Sequence, residues 1–268
     1  MVPDSLADRR KQVWDRLRTV TDPELDESVV DLDFIAATEV DAEGSVRVGF
    51  RLPTYWCAAN FSYMMADDIR VAVGSLPWVK SIEVRIGEHM YADKINAGLA
   101  GGLSFLEAFA EDADGDLTSL RRTFLVKAFQ RRQAVLLAHL LEAGRGAAEL
   151  VDLTLDELAS VELDAEGDRL RARYLDRREV VGAANEAAPA FVDAEGDRLQ
   201  AETLSIYLRA MRRVAVNAEF NGALCRGLLR ERFDLAAAAG CGSDKSARRR
   251  QSVVIQGKCD AENDASRR

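Results

Sequence analysis

The spacing of apolar and polar residues predicts a compact unit of mixed helix and strand at the start of the chain. Apolar positions recur on one helical face over Asp8–Val20. Pro23 ends this helix because proline disfavours helical backbone at the residue before it. β-Branched and apolar residues over 29–35, and alternating apolar residues over 46–52, predict two strands. A turn at 41–44 joins the two strands into a hairpin.

A helix over residues 58–76 and a strand over 81–86 complete this unit. The predicted order is helix, strand, strand, helix, strand, and we place the domain in residues 1–95. Glycines and acidic residues follow, and they predict a linker over 96–118. A long central helix then runs over 120–142.

The rest of the chain predicts a second α+β region, over 119–235, with a long C-terminal helix over 203–233. The segments 163–170 and 192–199 share Asp-Ala-Glu-Gly-Asp-Arg-Leu and predict hairpin turns with glycine at a positive φ. A calcium loop is the alternative, although the run is too short and lacks a distal glutamate. Small and charged residues over 236–268 predict a disordered tail. The fold class is therefore α+β.

Composition excludes several classes of function. The chain has 268 residues, is 48% hydrophobic and carries a net charge of −9. These values are typical of a globular protein and argue against nucleic acid or an anionic membrane as partners. No apolar run approaches the roughly 18 residues that span a bilayer, and the first residues lack a signal-peptide pattern. We expect a cytoplasmic protein.

Cys57 is the strongest candidate for chemistry. It follows the strand over 46–52 and precedes the next helix. The unpaired N–H groups and positive dipole end of a helix N-terminus stabilise a thiolate, which is the nucleophilic and metal-binding form of cysteine. The alternative is a buried cysteine that acts as a small apolar residue. Tyr55, Trp56 and Phe61 flank Cys57 and could shield a site from water or belong to the core.

Carboxylates form the second group of candidates. Asp22 and Glu24 flank Pro23 on a rigid turn and could bind a hard metal or orient a partner. Alternatively, Asp22 caps the turn and Glu24 is solvated. Asp31 and Asp33 lie two residues apart on the predicted strand, where they line an exposed edge or face the loop of Cys57.

The remaining cysteines and histidines give weaker signals. Cys225 lies among leucines on a predicted helix and is interpreted as a packing residue, as is His139. His89 follows the third strand and is interpreted as a hydrogen-bonded or surface histidine, with metal ligation as the alternative. Cys241 and Cys259 fall in the predicted tail, and no cysteine spacing matches a zinc or disulfide framework.

Several features occur together in one order. A helix leads into Asp22-Pro23-Glu24, a strand covers 28–35, and its hairpin partner ends at Thr54 just before Cys57. This pattern resembles the family of metal–sulfur cluster assembly domains, over about residues 10–90. The family includes the phenylacetate-oxygenase accessory protein and the cytosolic iron–sulfur targeting factors.

Two positions depart from the family pattern. The family usually has glycine where this chain has Asp33 and proline where it has Ala58. A proline at the start of a helix lacks an N–H donor, so alanine there alters the groups presented to the sulfur.

The resemblance implies a maturation factor and not an enzyme. Cys57 would be the transient ligand of iron or an iron–sulfur cluster, Asp22 and Glu24 would shape the adjacent turn, and Thr54 would mark the strand end. A cluster typically needs four thiolates, so further ligands would come from a client metalloprotein, a small thiol or a second copy in a homodimer.

Two other functions stay open. The protein could be an accessory subunit of a multicomponent oxygenase without its own metal, docking through its acidic body and a basic cluster on the central helix. That cluster comprises Arg121, Arg122, Lys127, Arg131 and Arg132, and a solvated helix face is its alternative interpretation. A thiol enzyme is the third hypothesis, but it needs a base beside Cys57.

Overall fold

The computed structural model describes residues 5–110 and 117–233, and its order of elements confirms the α+β class. The N-terminal elements are α1 (Leu6–Leu17), β1 (Ile35–Val40), β2 (Ser45–Phe50), α2 (Ala59–Gly74), β3 (Ser81–Ile86), α3 (Ala92–Ala100) and α4 (Phe105–Ala108). The mostly helical remainder comprises α5 (Leu117–Glu142), α6 (Ala147–Asp152), α7 (Leu155–Ser160), α8 (Ala165–Arg178), a 3-10 turn (Glu179–Val181) and α9 (Ala201–Phe233). The predicted tail at 236–268 lies outside the described residues.

The three strands form one sheet in the order β1-β2-β3. β1 and β2 pair antiparallel as the predicted hairpin, whereas β2 and β3 are parallel. α2 is the crossover that a parallel connection requires. Val46, Val48 and Phe50 alternate with more exposed residues along β2 and are buried, as the sequence pattern predicted.

The first predicted strand is misplaced, because β1 begins at Ile35 and not at Val29. Residues 29–34 form turns instead, and the N–H of Phe34 donates to the carbonyl of Val29 over 2.9 Å. Asp33 takes a left-handed backbone with φ of +59°, which aspartate tolerates and glycine adopts freely. Val29, Leu32 and Phe34 are buried in this turn, so its sequence is as apolar as that of a strand.

The predicted hairpin turn at 41–44 is confirmed. The Asp41 carboxylate accepts a hydrogen bond of 2.8 Å from the N–H of Ser45. Gly44 has φ of +95°, and a Cβ at this position would lie 2.6 Å from the carbonyl oxygen of Trp78. Glycine is therefore required both for the backbone conformation and for the close approach.

The two near-identical segments adopt different structures. The predicted turn at 163–170 is wrong, because Asp164 accepts from the N–H of Gly167 and caps α8. In 192–199 the prediction is confirmed, with Gly196 at φ of +93°. The first copy runs into the helix-forming segment Arg-Ala-Arg-Tyr-Leu, whereas a Cβ at Gly196 would lie 2.5 Å from the carbonyl oxygen of Val181. Surrounding structure therefore decides between two conformations of the same residues.

The helical region has its own core beneath α5, α8 and α9. Its largest fully buried members are Phe129, Tyr174 and Phe191. The amide of buried Gln133 donates to the carbonyl of Val192 over 2.7 Å and accepts from its N–H over 3.0 Å. Within the described part of the chain, no helix is long and apolar enough to cross a membrane.

A buried ion pair joins the helical region to the N-terminal turn. Arg132 on α5 contacts both carboxylate oxygens of Asp26, at 2.6 and 2.8 Å. Their side chains are only 9% and 6% exposed. Asp176 and Arg177 of α8 extend the network. The described residues up to Phe233 therefore form one unit, and the domain boundaries predicted at 95 and 118 stay predictions.

Much of the basic cluster on α5 is used inside the chain. Arg121 forms a bidentate pair with Asp68 on α2, at 2.7 and 2.9 Å. Arg131 donates to the carbonyl of Glu24 over 3.0 Å. With Arg132 on Asp26, three of the five basic residues contact the N-terminal region. The interpretation of this cluster as a solvated helix face is therefore wrong for these three.

We expect Asp26→Asn to lower the free energy of unfolding by about 3 kcal/mol, because it removes the buried countercharge of Arg132 and leaves only the exposed carboxylate of Asp176 beside it. Asparagine tolerates the left-handed backbone at this position, where φ is +56°. Chemical denaturation measures the change. The matched control is Glu39→Gln, which breaks an exposed pair with Arg47 and should cost less than about 1 kcal/mol. Equal losses in the two variants would contradict the structural role of the buried pair.

Candidate functional site

Cys57 lies in the loop over residues 51–58, which we call the Cys57 loop. Its thiol is half-buried, and its Sγ atom lies 3.1 Å from the Oγ1 of Thr54. α2 begins two residues later, at Ala59, so the predicted position just before a helix is confirmed. Ala58 has φ of −58°, close to the angle that proline fixes. The backbone therefore has a conformation that the family's proline would also allow.

His89 holds the backbone of Cys57 in place. Its side chain is buried, and its Nδ1 accepts a hydrogen bond of 3.1 Å from the N–H of Tyr91. Nε2 must then carry the proton of the neutral ring, and it donates to the carbonyl of Cys57 over 2.8 Å. Burial lowers the pKa of His89, which favours this neutral form. The interpretation of His89 as a hydrogen-bonded histidine fits this arrangement.

The end of α9 holds the same loop from the other side. Arg232 donates to the carbonyl of Leu52 over 3.1 Å and also contacts the carbonyl of Glu88. The guanidinium of Arg51 lies 5.0 Å from the ring centre of Phe233. The Cys57 loop is thus held by contacts with the turn that follows β3 and with the C-terminal helix α9.

The Asp-Pro-Glu turn (residues 22–24) is held by its own first residue. The Oδ1 atom of buried Asp22 accepts from the N–H groups of Glu24 and Leu25, at 2.9 and 2.8 Å. This geometry supports the capping interpretation of Asp22. Glu24 is exposed, and its carboxylate accepts from the amide of Asn221 on α9 over 3.1 Å. Ligand roles for Asp22 and Glu24 stay predictions.

Cys225 is nearer to the site than the sequence indicated. It is half-buried on α9, one helical turn beyond Asn221. The pKa of its thiol is raised to about 11, first by burial and then by the negative charges of Asp22, Cys57 and Glu24. α9 therefore brings a second thiol within electrostatic range of Cys57. The sequence shows that Cys225 and Asn221 lie on one face of a helix, but it does not show which part of the chain packs against that face.

Asp31 and Asp33 are exposed and occupy the turns before β1. The carbonyl of Asp33 accepts a hydrogen bond of 3.1 Å from Nε of Arg51, so this turn contacts the Cys57 loop. His139 contacts Asp164 at 3.0 Å, far along the chain from the Cys57 loop. Tyr55 and Trp56 are 52% and 72% exposed, so they do not shield the thiol as a buried pair. Cys241 and Cys259 lie outside the described residues.

The described residues do not form a metal site by themselves. No cluster of three or more His, Cys, Asp or Glu side chains within 5–110 and 117–233 is arranged to hold a metal ion. An iron–sulfur cluster typically takes four thiolate ligands. If Cys57 binds iron or a cluster, the remaining ligands must come from another molecule or from residues outside these ranges.

Asp22 gives the turn a pH dependence. Burial raises the pKa of its carboxyl to about 6, above the ordinary value near 4. Between these values the folded state binds more protons than the unfolded state, so stability falls as pH rises through this window. In the wild type, the free energy of unfolding should fall by about 3 kcal/mol between pH 4 and 7 because of Asp22. We expect Asp22→Asn, which keeps the Oδ1 acceptor, to abolish this fall.

The measurement is chemical denaturation of both proteins across that pH range. Asp41→Asn serves as a control of opposite sign, because the N–H of Ser45 lowers the pKa of the exposed Asp41 carboxyl. Its contribution to stability is present above pH 4 and is lost as pH falls. A wild-type pH dependence unchanged by Asp22→Asn would contradict the assignment to Asp22.

Comparison with known proteins places the Cys57 loop in a shared domain. Residues 10–85 match the model of a family described as iron–sulfur cluster assembly protein. The chain is 34% identical over 87 residues to an uncharacterised protein of Methanocaldococcus jannaschii, and this match covers 32% of the chain and 90% of that protein. A crystallised domain of unknown function, DUF59, from Bacillus anthracis is 19% identical, with a TM-score of 0.29, over 36% of this chain and 93% of that one.

The family match covers α1 from residue 10 onward, the whole sheet except the last residue of β3, and the loop with Cys57. It confirms the resemblance drawn from the Asp-Pro-Glu turn and the cysteine. Residues 117–233 lie outside the matched range. Through its N-terminal third, this chain belongs to the iron–sulfur cluster assembly protein family.

Proposed function

We propose that the protein is a maturation factor that takes up iron or an iron–sulfur cluster through Cys57 and passes it to a client metalloprotein. Family membership supports a function related to cluster assembly. The observation that carries the role of Cys57 is the position of its thiol, half-buried on a loop fixed by His89 and Arg232. A thiol held in this way is oriented before the cargo arrives.

The hydroxyl of Thr54 also supports iron binding by Cys57. This hydroxyl lies 3.1 Å from the sulfur of Cys57 and can donate a hydrogen bond to a thiolate. Thiolate is the form that binds iron. A single thiol with a hydroxyl partner holds a cargo without enclosing it, and this suits transfer to another protein better than permanent storage.

The same geometry argues against a thiol enzyme. A nucleophilic cysteine needs a base within hydrogen-bond reach of its sulfur. His89 lies close to Cys57, but Nε2 donates to the backbone carbonyl and Nδ1 accepts from the N–H of Tyr91. Both ring nitrogens are occupied by backbone groups, so we propose a carrier without catalytic activity of its own.

A surface for the client lies beside the thiol. Trp56 and Tyr55 are exposed, and the N–H of Met90, another exposed apolar residue, donates to the carbonyl of Tyr55 over 2.8 Å. Exposed aromatic residues and methionine are enriched at protein interfaces. This surface also supports the second candidate function, an accessory subunit that docks to an oxygenase without carrying metal.

We expect purified wild type to acquire visible absorption and bound iron after anaerobic incubation with ferrous iron and sulfide, followed by desalting. Cys57→Ser should retain at least tenfold less iron, because the hydroxyl of serine is a poor iron ligand at neutral pH. Iron content and absorption measure the result. Val71→Ser is the control, since it introduces a serine at a valine of α2 that is 56% exposed and leaves every thiol in place.

Two outcomes contradict the carrier function. If wild type and Cys57→Ser retain equal iron, the cargo binds elsewhere on the chain. If neither protein retains iron, the accessory-subunit function is favoured. In that case Trp56→Ala should weaken capture of a protein partner while leaving the fold intact.

A further inference from the structure

α9 carries a continuous row of exposed apolar side chains. Val216, Phe220, Leu224 and Leu228 are 54%, 67%, 49% and 40% exposed, and we call them the α9 stripe. Residues four apart lie on one face of a helix, so the stripe covers about three turns. Contiguous apolar surface of this kind marks an interaction site more often than scattered exposed residues do.

The opposite face of α9 is already used inside the chain. Gly222 and Leu229 are buried, and Arg226 pairs with Glu27 at 2.6 Å. Leu229 lies five residues beyond Leu224 and Gly222 two beyond Phe220, on the far side of the helix from the stripe. The stripe is therefore a second face with no cover from the described part of the chain.

We propose that a second copy of this chain covers the stripe, with the two α9 helices packed antiparallel about a twofold axis. Charge complementarity points to this occupant. Arg213 and Glu231 flank the stripe and are eighteen residues apart, which is five helical turns, so both lie on its line. Neither has a side-chain partner among the described residues.

In an antiparallel twofold arrangement, each charged side chain faces one of opposite charge. If the twofold axis passes at the level of residue 222, Arg213 faces Glu231 of the second copy, and Phe220 faces Leu224. A parallel arrangement would instead set each arginine against the other and each glutamate against the other. A twofold interface uses the same patch on both copies, so one self-complementary face is sufficient.

Small residues beside the stripe allow the two helices to approach closely. Ala223 and Gly227 occupy the adjacent row, and both are exposed. A Cβ at Gly227 would meet no atom within 4 Å. Ridges of one helix pack into the grooves of another, and small side chains deepen such a groove. This interface gives the predicted homodimer a surface, and it does not depend on the function proposed for Cys57.

The test is sedimentation equilibrium of the full chain from 1 to 100 µM. Wild type should sediment as a dimer with twice the chain mass of 29.5 kDa. Phe220→Glu should raise the dissociation constant at least a hundredfold, because it places two carboxylates in the apolar centre. Val71→Glu, at a valine of α2 that is 56% exposed, should leave the dimer unchanged, and circular dichroism should show that both variants fold.

A charge exchange identifies the antiparallel arrangement. Arg213→Glu alone should weaken the dimer about tenfold, and the double variant Arg213→Glu, Glu231→Arg should restore it. A double variant no better than the single one overturns the proposed geometry. A wild type that stays monomeric at 100 µM overturns the proposal itself, and another part of the chain or a different protein is then the occupant of the stripe.

Discussion

The buried ion pair between Arg132 and Asp26 is the contact on which the position of the helices over the N-terminal domain depends. Two charges so far from water are stable only when their geometry is close to ideal. Asp26 meets that demand with both carboxylate oxygens on one guanidinium. Because Asp26 lies two residues after the Asp-Pro-Glu turn, the ion pair fixes α5 beside that turn. Contacts of α9 with Glu24 and Glu27 extend the same arrangement.

This chain joins a helical region to the domain that it shares with the family. The matched residues 10–85 contain the thiol, the hydroxyl of Thr54 and the Asp-Pro-Glu turn. The helical region contributes Arg232 to the Cys57 loop. His89 and Arg232 hold the loop through its backbone carbonyls, so neither of them occupies the thiol of Cys57. The proposed cargo function depends on this separation between the groups that hold the loop and the group that binds.

The sequence predicted elements with strong periodicity and missed those fixed by distant contacts. α5, α9 and the alternating strand β2 were predicted because their burial follows a regular period. The apolar segment before Ile35 was taken for a strand because buried turn residues and strand residues have the same composition. The two copies of Asp-Ala-Glu-Gly-Asp-Arg-Leu diverge through the helix-forming residues after the first copy and through the contact of Gly196 with Val181 in the second, and local sequence contains only the first of these. In the site, Cys57 was found from its place between strand and helix, whereas Arg232 and Cys225 required the fold that brings α9 over the loop.

The most direct test of the central claim is transfer of cargo to another protein. Chain loaded anaerobically with iron and sulfide is mixed with an apo plant-type ferredoxin, and visible circular dichroism follows the appearance of the ferredoxin cluster. If Cys57 carries the cargo, loaded wild type should fill the ferredoxin at least tenfold faster than the same iron and sulfide free in solution, and Cys57→Ser should give only the free rate. Equal rates for wild type, Cys57→Ser and free iron and sulfide would contradict the account.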